Sequence, residues 1–175
     1  MVQIGQWVLL CYRLPREPSS PRVAVWRRLR RLGVVQLADG VVGLPADART
    51  REQLEWVAGA VVEGGGTAGV WLAQPGTAAQ ERELATTMRD ARAGEYAALI
   101  EQADVASNAS DGDRRRRLRG LRAELRAIGR RDFFPPPQRE QARRAVDALA
   151  AAVAPESSSD EGSGIVGPDA EEVRR

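Results

Sequence analysis

In the first 75 residues, segments with strand-like apolar runs alternate with segments in which apolar residues have a helical spacing. Short apolar runs, which are typical of strands, lie at 7–14, 34–37, 41–44 and 70–72. Segments with a helical period separate the first run from the second and the third from the fourth. The order βαββαβ predicts an α+β, ferredoxin-like fold over residues 6–75, in which two helices cover one face of a four-stranded antiparallel sheet.

Capping and turn residues predict where these elements begin and end. The first helix is expected to follow a serine cap at 19–20 and to end at Gly33. Asp39-Gly40 predicts the turn of a hairpin, because that turn needs positive φ angles. The capping-box sequence Thr-Arg-Glu-Gln at 50–53 predicts the start of the second helix, and the glycines at 64–66 predict its end.

Helical spacing continues after residue 76 and predicts three more helices. A capping box at 77–80 opens a long helix, and the last helix covers about 138–153. The middle helix has a heptad-like apolar stripe, which consists of Leu118, Leu121, Leu125 and Ile128. Short connections predict an antiparallel bundle. In that bundle the stripe should pack against the helices that contain Leu84, Met88, Val146 and Leu149.

These patterns predict three segments in the chain. A ferredoxin-like domain is expected at 1–75 and a helical region packed on it at 76–154. Serine, glycine and acidic residues predict a disordered tail at 155–175. The tryptophans are expected in the core: Trp7, Trp26, Trp56 and Trp71.

The charge of the chain is unevenly distributed. All 26 basic residues are arginine, and the formal net charge is +2. Residues 156–175 hold six acids and two arginines, a net charge of −4, so the remaining residues carry +6. A basic body favours an anionic partner, for which the acidic tail would compete.

The composition also argues against several kinds of catalytic and metal-binding chemistry. The chain has no histidine and one cysteine, which argues against a zinc site, a Ser-His-Asp or Cys-His catalytic set and an internal disulfide. No apolar run approaches the ~18 residues of a membrane span. We therefore expect a cytoplasmic protein that is not an enzyme, with no cofactor, no metal and no membrane contact.

Residues 22–31 place five arginines on the first predicted helix. At about 100° per residue, one side is apolar and should pack, with Val25, Trp26, Leu29 and Leu32. The opposite side carries Arg27, Arg28, Arg30 and Arg31. This arginine row is expected to be either a solvated helix face or a surface for phosphates, other oxyanions or nucleic acid.

Arg22 differs from the other arginines because its helical phase places it on the apolar side. Two alternatives are open. The side chain extends to water, or it is partly buried and meets a carboxylate, backbone carbonyls or a bound oxyanion.

A second basic cluster begins the helix with the apolar stripe. It consists of Arg114, Arg115, Arg116 and Arg117. Positive charge at a helix N-terminus opposes the helix dipole, and Asp111 and Asp113 offset part of it. The cluster is expected to be either a solvated helix start or a further surface for nucleic acid or anions.

Six segments of the chain, taken together, are more specific than any one motif. They are 7–15, 22–33, 39–45, 64–66, 92–96 and 128–134, the last with Arg131-Asp-Phe-Phe. In this order they resemble the N-terminal domain of the ChrB chromate-resistance proteins, over about residues 6–152. The resemblance implies a chromate-responsive transcriptional regulator, or an accessory protein, associated with a chromate efflux pump. Longer members continue into a second domain, so sensing is expected either in a separate protein or in this domain.

The residues and the resemblance together predict a regulatory protein of chromate resistance that binds DNA, an oxyanion such as chromate, or both, through its arginines. The alternative is a non-catalytic protein-interaction or dimerisation module, in which the apolar stripe docks a partner and the arginines face water. The partners that these alternatives imply are DNA, an oxyanion, a separate sensor-domain protein and a second copy of the chain.

Overall fold

A computed structural model describes residues 5–153. Its elements are β1 (Trp7–Arg13), α1 (Ser19–Leu32), β2 (Val35–Ala38), β3 (Val41–Pro45), α2 (Ala48–Glu63), β4 (Thr67–Ala73), α3 (Ala78–Ser107), α4 (Asp111–Gly129) and α5 (Gln138–Ala151). The tail predicted to be disordered, 155–175, lies outside the described residues. Among the residues described, no helix combines the length and the apolar character that a membrane crossing requires.

The four strands form one antiparallel sheet in the order β2-β3-β1-β4. Leu10 in the central strand β1 pairs with Val42 of β3 on one side and with Val70 of β4 on the other. This strand order, with one helix after β1 and one after β3, is the ferredoxin-like arrangement. The predicted α+β fold class is therefore confirmed.

Helices α1 and α2 begin and end at identifiable capping residues, but their N-caps are not the residues that the sequence predicted. Helix α1 begins at Ser19 itself, with Pro18 as N-cap and no side-chain cap, and it ends at Gly33 with φ 74°. Helix α2 begins before the predicted box, because Asp47 is the N-cap and Thr50 its third residue. The Thr50 amide donates to the Asp47 carboxylate over 2.6 Å, and the Asp47 amide donates to the Thr50 hydroxyl over 2.9 Å.

The first core lies between the sheet and the helices α1 and α2. Alternate strand residues such as Val8 and Leu10 contribute to it, and Val25 and Leu29 of α1 are buried with them. The expectation that the tryptophans are core residues holds for Trp7 and is wrong for the other three, which are at least half exposed: Trp26, Trp56 and Trp71. The buried stripe of α1 is narrower than predicted, so it leaves Trp26 outside.

The second core lies among α3, α4 and α5. Leu118, Leu121 and Ile128 of the predicted stripe are buried there with Val146 and Leu149. The stripe is thus covered by the bundle itself. The predicted packing of the stripe against the two neighbouring helices, α3 and α5, is confirmed. Leu84 and Met88 themselves pack against the first core, because the beginning of α3 lies on the sheet domain and only its later turns join the bundle.

The buried stripe makes a stability prediction. Leu121 is 4% exposed, so Leu121→Ala should lower the free energy of unfolding by roughly 2–4 kcal/mol through lost burial and a residual cavity. Urea denaturation of both proteins measures the difference. The matched control is Val105→Ala on α3, because Val105 is 60% exposed and its truncation should change stability little. Equal effects of the two substitutions would contradict the bundle packing.

Candidate functional site

A large open cleft lies where the central strand β1 ends. Its volume is about 1170 Å³, and the end of β1, the loop that follows, α1 and two glycine turns line it. Four arginines face it, and we call it the arginine cleft: Arg13, Arg16, Arg22 and Arg27. Sequence reasoning singled out Arg22 and Arg27. It missed Arg13 and Arg16, which no periodic pattern connects to α1.

Two glycines bring backbone close to the floor of the arginine cleft. Gly40, in the β2–β3 turn, has φ 72°, and a Cβ there would collide with the Tyr12 carbonyl oxygen. Its own carbonyl accepts a hydrogen bond from the Tyr12 amide over 2.7 Å. Gly66, before β4, approaches the Arg13 carbonyl so closely that a Cβ would collide with it. Both turns therefore fit against the end of β1 only as glycine.

The charge of the arginine cleft is strongly positive. Among the described residues, Asp39 is the one carboxylate that lines it. Within residues 5–153, none of the four cleft arginines makes a salt bridge. Burial raises the pKa of the Tyr12 phenol above its usual value, and the positive charge of Arg22 opposes this rise. Arg22 therefore acts electrostatically on the cleft floor.

The premise that Arg22 lies on a buried apolar face is wrong. The Arg22 side chain is exposed, and it lines the arginine cleft together with Trp26. The two residues share one phase of α1, as the sequence predicts, but this side of the helix faces the cleft and not the core. Of the two alternatives, a solvent-exposed Arg22 is the one that the structure contains.

The arginine row of α1 is spread over several surroundings. Arg27 lines the arginine cleft, and Arg28 is half-buried. The Arg30 guanidinium lies 4.8 Å from the centre of the Trp26 ring, a cation–π contact. Arg31 points to a different pocket on the far side of the helix end. The four side chains therefore do not share a single binding surface.

Two arginines of the second basic cluster, Arg114 and Arg116, contact other residues of the protein. Arg114 donates to the carbonyls of Ser107, Ala109 and Ala152, so it caps the ends of two helices. Arg116 forms a salt bridge with Asp113 at 2.7 Å. Arg115 and Arg117 are exposed. A role for this cluster in binding anions stays a prediction.

An ion-pair network that sequence reasoning did not identify joins α3 to the turn after α4. Arg92 is 7% exposed and lies 3.0 Å from the Glu95 carboxylate. Arg131 approaches the same carboxylate at 2.9 Å. One turn along α3, the buried Tyr96 hydroxyl donates to Asp132 over 3.0 Å. Burial, and next the contact with Asp132, raise the pKa of Tyr96 from 10.0 to about 12.

The turn at 130–134 fastens the bundle to the sheet domain. Phe134 stacks on Trp7 with ring centroids 6.2 Å apart, and the Arg49 guanidinium lies 5.5 Å from the centre of the Phe133 ring. Arg49 also donates to the Arg130 carbonyl over 3.1 Å. The motifs 92–96 and 128–134 contributed to the family resemblance, but their spacing in the sequence carried no sign that they meet.

The described part of the chain shows no group of side chains that would bind a metal ion. Across 5–153, no three His, Cys, Asp or Glu side chains form a group that could hold a metal ion. The arginine cleft instead offers permanent cations. Arginine keeps its proton at ordinary pH, so these side chains suit binding of oxyanions rather than proton transfer.

The fold and the cleft define a class: a ferredoxin-like α+β domain with an appended three-helix bundle and an open cleft lined by arginines. The family model described as "Protein ChrB, N-terminal" matches residues 22–158. The chain belongs to the family of ChrB N-terminal domains.

A curated relative agrees with this membership. The protein ChrB of Cupriavidus metallidurans strain CH34 is 32% identical over 133 residues, which cover 74% of this chain. The matched residues make up 40% of that relative, so this chain corresponds to less than half of its length. No solved structure matches the chain.

The Tyr96–Asp132 contact makes a prediction about pH. The chain has two tyrosines, so Tyr12→Phe leaves Tyr96 alone, and its phenolate absorbance should titrate near pH 12 rather than 10.0. Because the pKa is raised in the folded state, this contribution to stability is complete below pH 10 and falls as pH rises toward 12. A second substitution, Asp132→Asn, should lower the pKa of Tyr96. Titration of the single-tyrosine protein at the usual value would contradict the contact.

Proposed function

We propose that this protein is a chromate-responsive transcriptional regulator that binds duplex DNA through the arginine cleft. Membership of the ChrB N-terminal family supports the coarser statement, a chromate-resistance protein. The observation that carries the DNA proposal is the convergence of four arginines from β1, the following loop and α1 in one open cleft. None of them has a salt-bridge partner within residues 5–153.

The chemistry of the cleft favours the sugar–phosphate backbone. Arginine forks donate to phosphate oxygens, and such contacts supply most of the affinity that does not depend on sequence. The volume of about 1170 Å³ exceeds what one tetrahedral anion fills. It is also above the ~300–1,000 Å³ of common small-ligand pockets. An extended polyanion therefore matches the cleft better than a single small oxyanion.

The alternative function, a protein-interaction or dimerisation module, loses the surface on which the sequence based it, but a different surface favours it. The apolar stripe on α4 is covered by α3 and α5, so it does not offer a docking surface. Within the described residues, the edge strand β4 pairs with β1 alone and exposes Trp71 and Leu72, with 62% of Trp71 accessible. Such an edge can pair with another chain. DNA binding and self-association are separated by the following experiment.

Binding to labelled duplex DNA, measured by fluorescence anisotropy over a series of salt concentrations, tests the proposal. The logarithm of the wild-type affinity should fall steeply and linearly with the logarithm of salt concentration. Arg22→Gln with Arg27→Gln removes two phosphate contacts. It should therefore weaken binding to every DNA sequence and reduce the slope by about two.

The control variant removes the same charge elsewhere. Arg82→Gln with Arg144→Gln changes two exposed arginines on α3 and α5 that make no salt bridge within residues 5–153. It should keep nearly the full affinity and slope. Absence of wild-type binding at low salt would refute the proposal, and sedimentation of the wild type as a dimer in that case would favour the alternative.

A further inference from the structure

A second group of arginines converges away from the arginine cleft. The end of α1, the first turn of α2 and the end of α4 enclose a pocket of about 270 Å³, which we call the junction pocket. Four of its seven lining residues are arginines: Arg31, Arg49, Arg130 and Arg131. Leu32, Gln53 and Ala127 complete the lining. In the part of the chain that the structure describes, no carboxylate lines the pocket.

Two of the four guanidinium groups are held in place by contacts within the protein. Arg49 donates to the Arg130 carbonyl over 3.1 Å and lies over the Phe133 ring. Arg131 donates through Nε and Nη2 to the Glu95 carboxylate, over 3.3 Å and 2.9 Å. The junction pocket therefore has a preorganised positive side.

The other two guanidinium groups are free to meet a ligand. The side chains of Arg31 and Arg130 are exposed, and within residues 5–153 they make no salt bridge or side-chain hydrogen bond. Arg31 comes from the sheet domain, and Arg130 comes from the end of α4. The pocket is thus bordered on both sides by arginines that have no salt-bridge partner among the described residues.

The carboxylates of Glu95 and Asp47, which lie near the junction pocket, already have partners within the protein. Glu95 is shared between Arg92 and Arg131. Asp47, beside Arg49, accepts the Thr50 amide as the cap of α2, and that hydrogen bond is the main cause of its lowered pKa. Arg31, Arg49 and Arg130 make no salt bridge within residues 5–153, so their positive charges repel each other, and a bound anion would relieve that repulsion.

We propose that the junction pocket binds a small tetrahedral oxyanion. Its volume lies just below the ~300–1,000 Å³ range of pockets for drug-sized molecules, and forked donors from several directions suit a compact dianion. Because Arg31 and Arg130 belong to the sheet domain and the bundle, the anion would fasten these two parts together. The proposal uses none of the residues that line the arginine cleft, so it does not depend on DNA binding.

Thermal melts of the full chain test this site with sulfate, phosphate and chromate as probes. Each anion is compared with sodium chloride at equal ionic strength, because general screening also weakens arginine repulsion. A ligand that binds only the folded state should raise the melting temperature of the wild type by about 3–6 °C at a tenfold excess over Kd, which corresponds to about 1.4 kcal/mol.

Two double variants locate the effect. Arg31→Gln with Arg130→Gln should abolish the anion-dependent shift, and in sodium chloride it should melt no lower than the wild type because repulsion has been removed. Arg82→Gln with Arg144→Gln removes the same charge from exposed positions on α3 and α5, outside both arginine-lined sites, and should keep the full shift. Circular dichroism confirms that each variant is folded.

Some outcomes of these melts would support the proposal and others would refute it. A shift that depends on Arg31 and Arg130 supports the junction site, whichever probes produce it. A shift with all three anions identifies a general oxyanion site, and a shift with chromate alone identifies a selective one. A wild type that melts alike in every salt would overturn the proposal. So would a shift that survives the Arg31 and Arg130 substitutions, or one that the Arg82 and Arg144 substitutions abolish equally.

Discussion

The Glu95 carboxylate is the contact on which the arrangement of the two halves depends. It lies between Arg92, which is buried, and Arg131, which begins the turn after α4. The Glu95 side chain is partly exposed, but its loss would leave the buried Arg92 charge without its salt-bridge partner, which is costly. By holding Arg131, it directs Phe133 and Phe134 onto the sheet domain. The same contact orients one wall of the junction pocket.

The arginine cleft depends on a different constraint. Its floor is the end of β1, and Gly40 and Gly66 let two turns approach that strand closely. All its walls come from the sheet domain, so its geometry does not require the bundle. The junction pocket exists only where both parts meet. The chain thus has one arginine-lined site within the sheet domain and another between the sheet domain and the bundle. Binding at the second site alone would depend on how these two parts are arranged.

The sequence predicted elements better than it predicted contacts. Apolar periods were sufficient for the βαββαβ order and the bundle, because each strand and helix buries a face with its own period. They failed for Trp26 and Arg22, since helical phase says which residues share a side but not what that side faces. They could not join Arg13 to Arg22, or Glu95 to Arg131, because these contacts depend on the tertiary fold. The start of α2 was missed because Asp47, and not Thr50, is the cap.

The extent of the family match bears on which part of the chain acts as a unit. The matched range, 22–158, runs from α1 through the whole bundle and crosses the predicted boundary between residues 75 and 76. It contains Glu95 with both of its arginine partners, and every residue that lines the junction pocket. The matched range therefore takes in most of the sheet domain together with the bundle, although it begins after β1. A ligand that fastens α1 to the end of α4 would act on the contact that makes those two parts one unit.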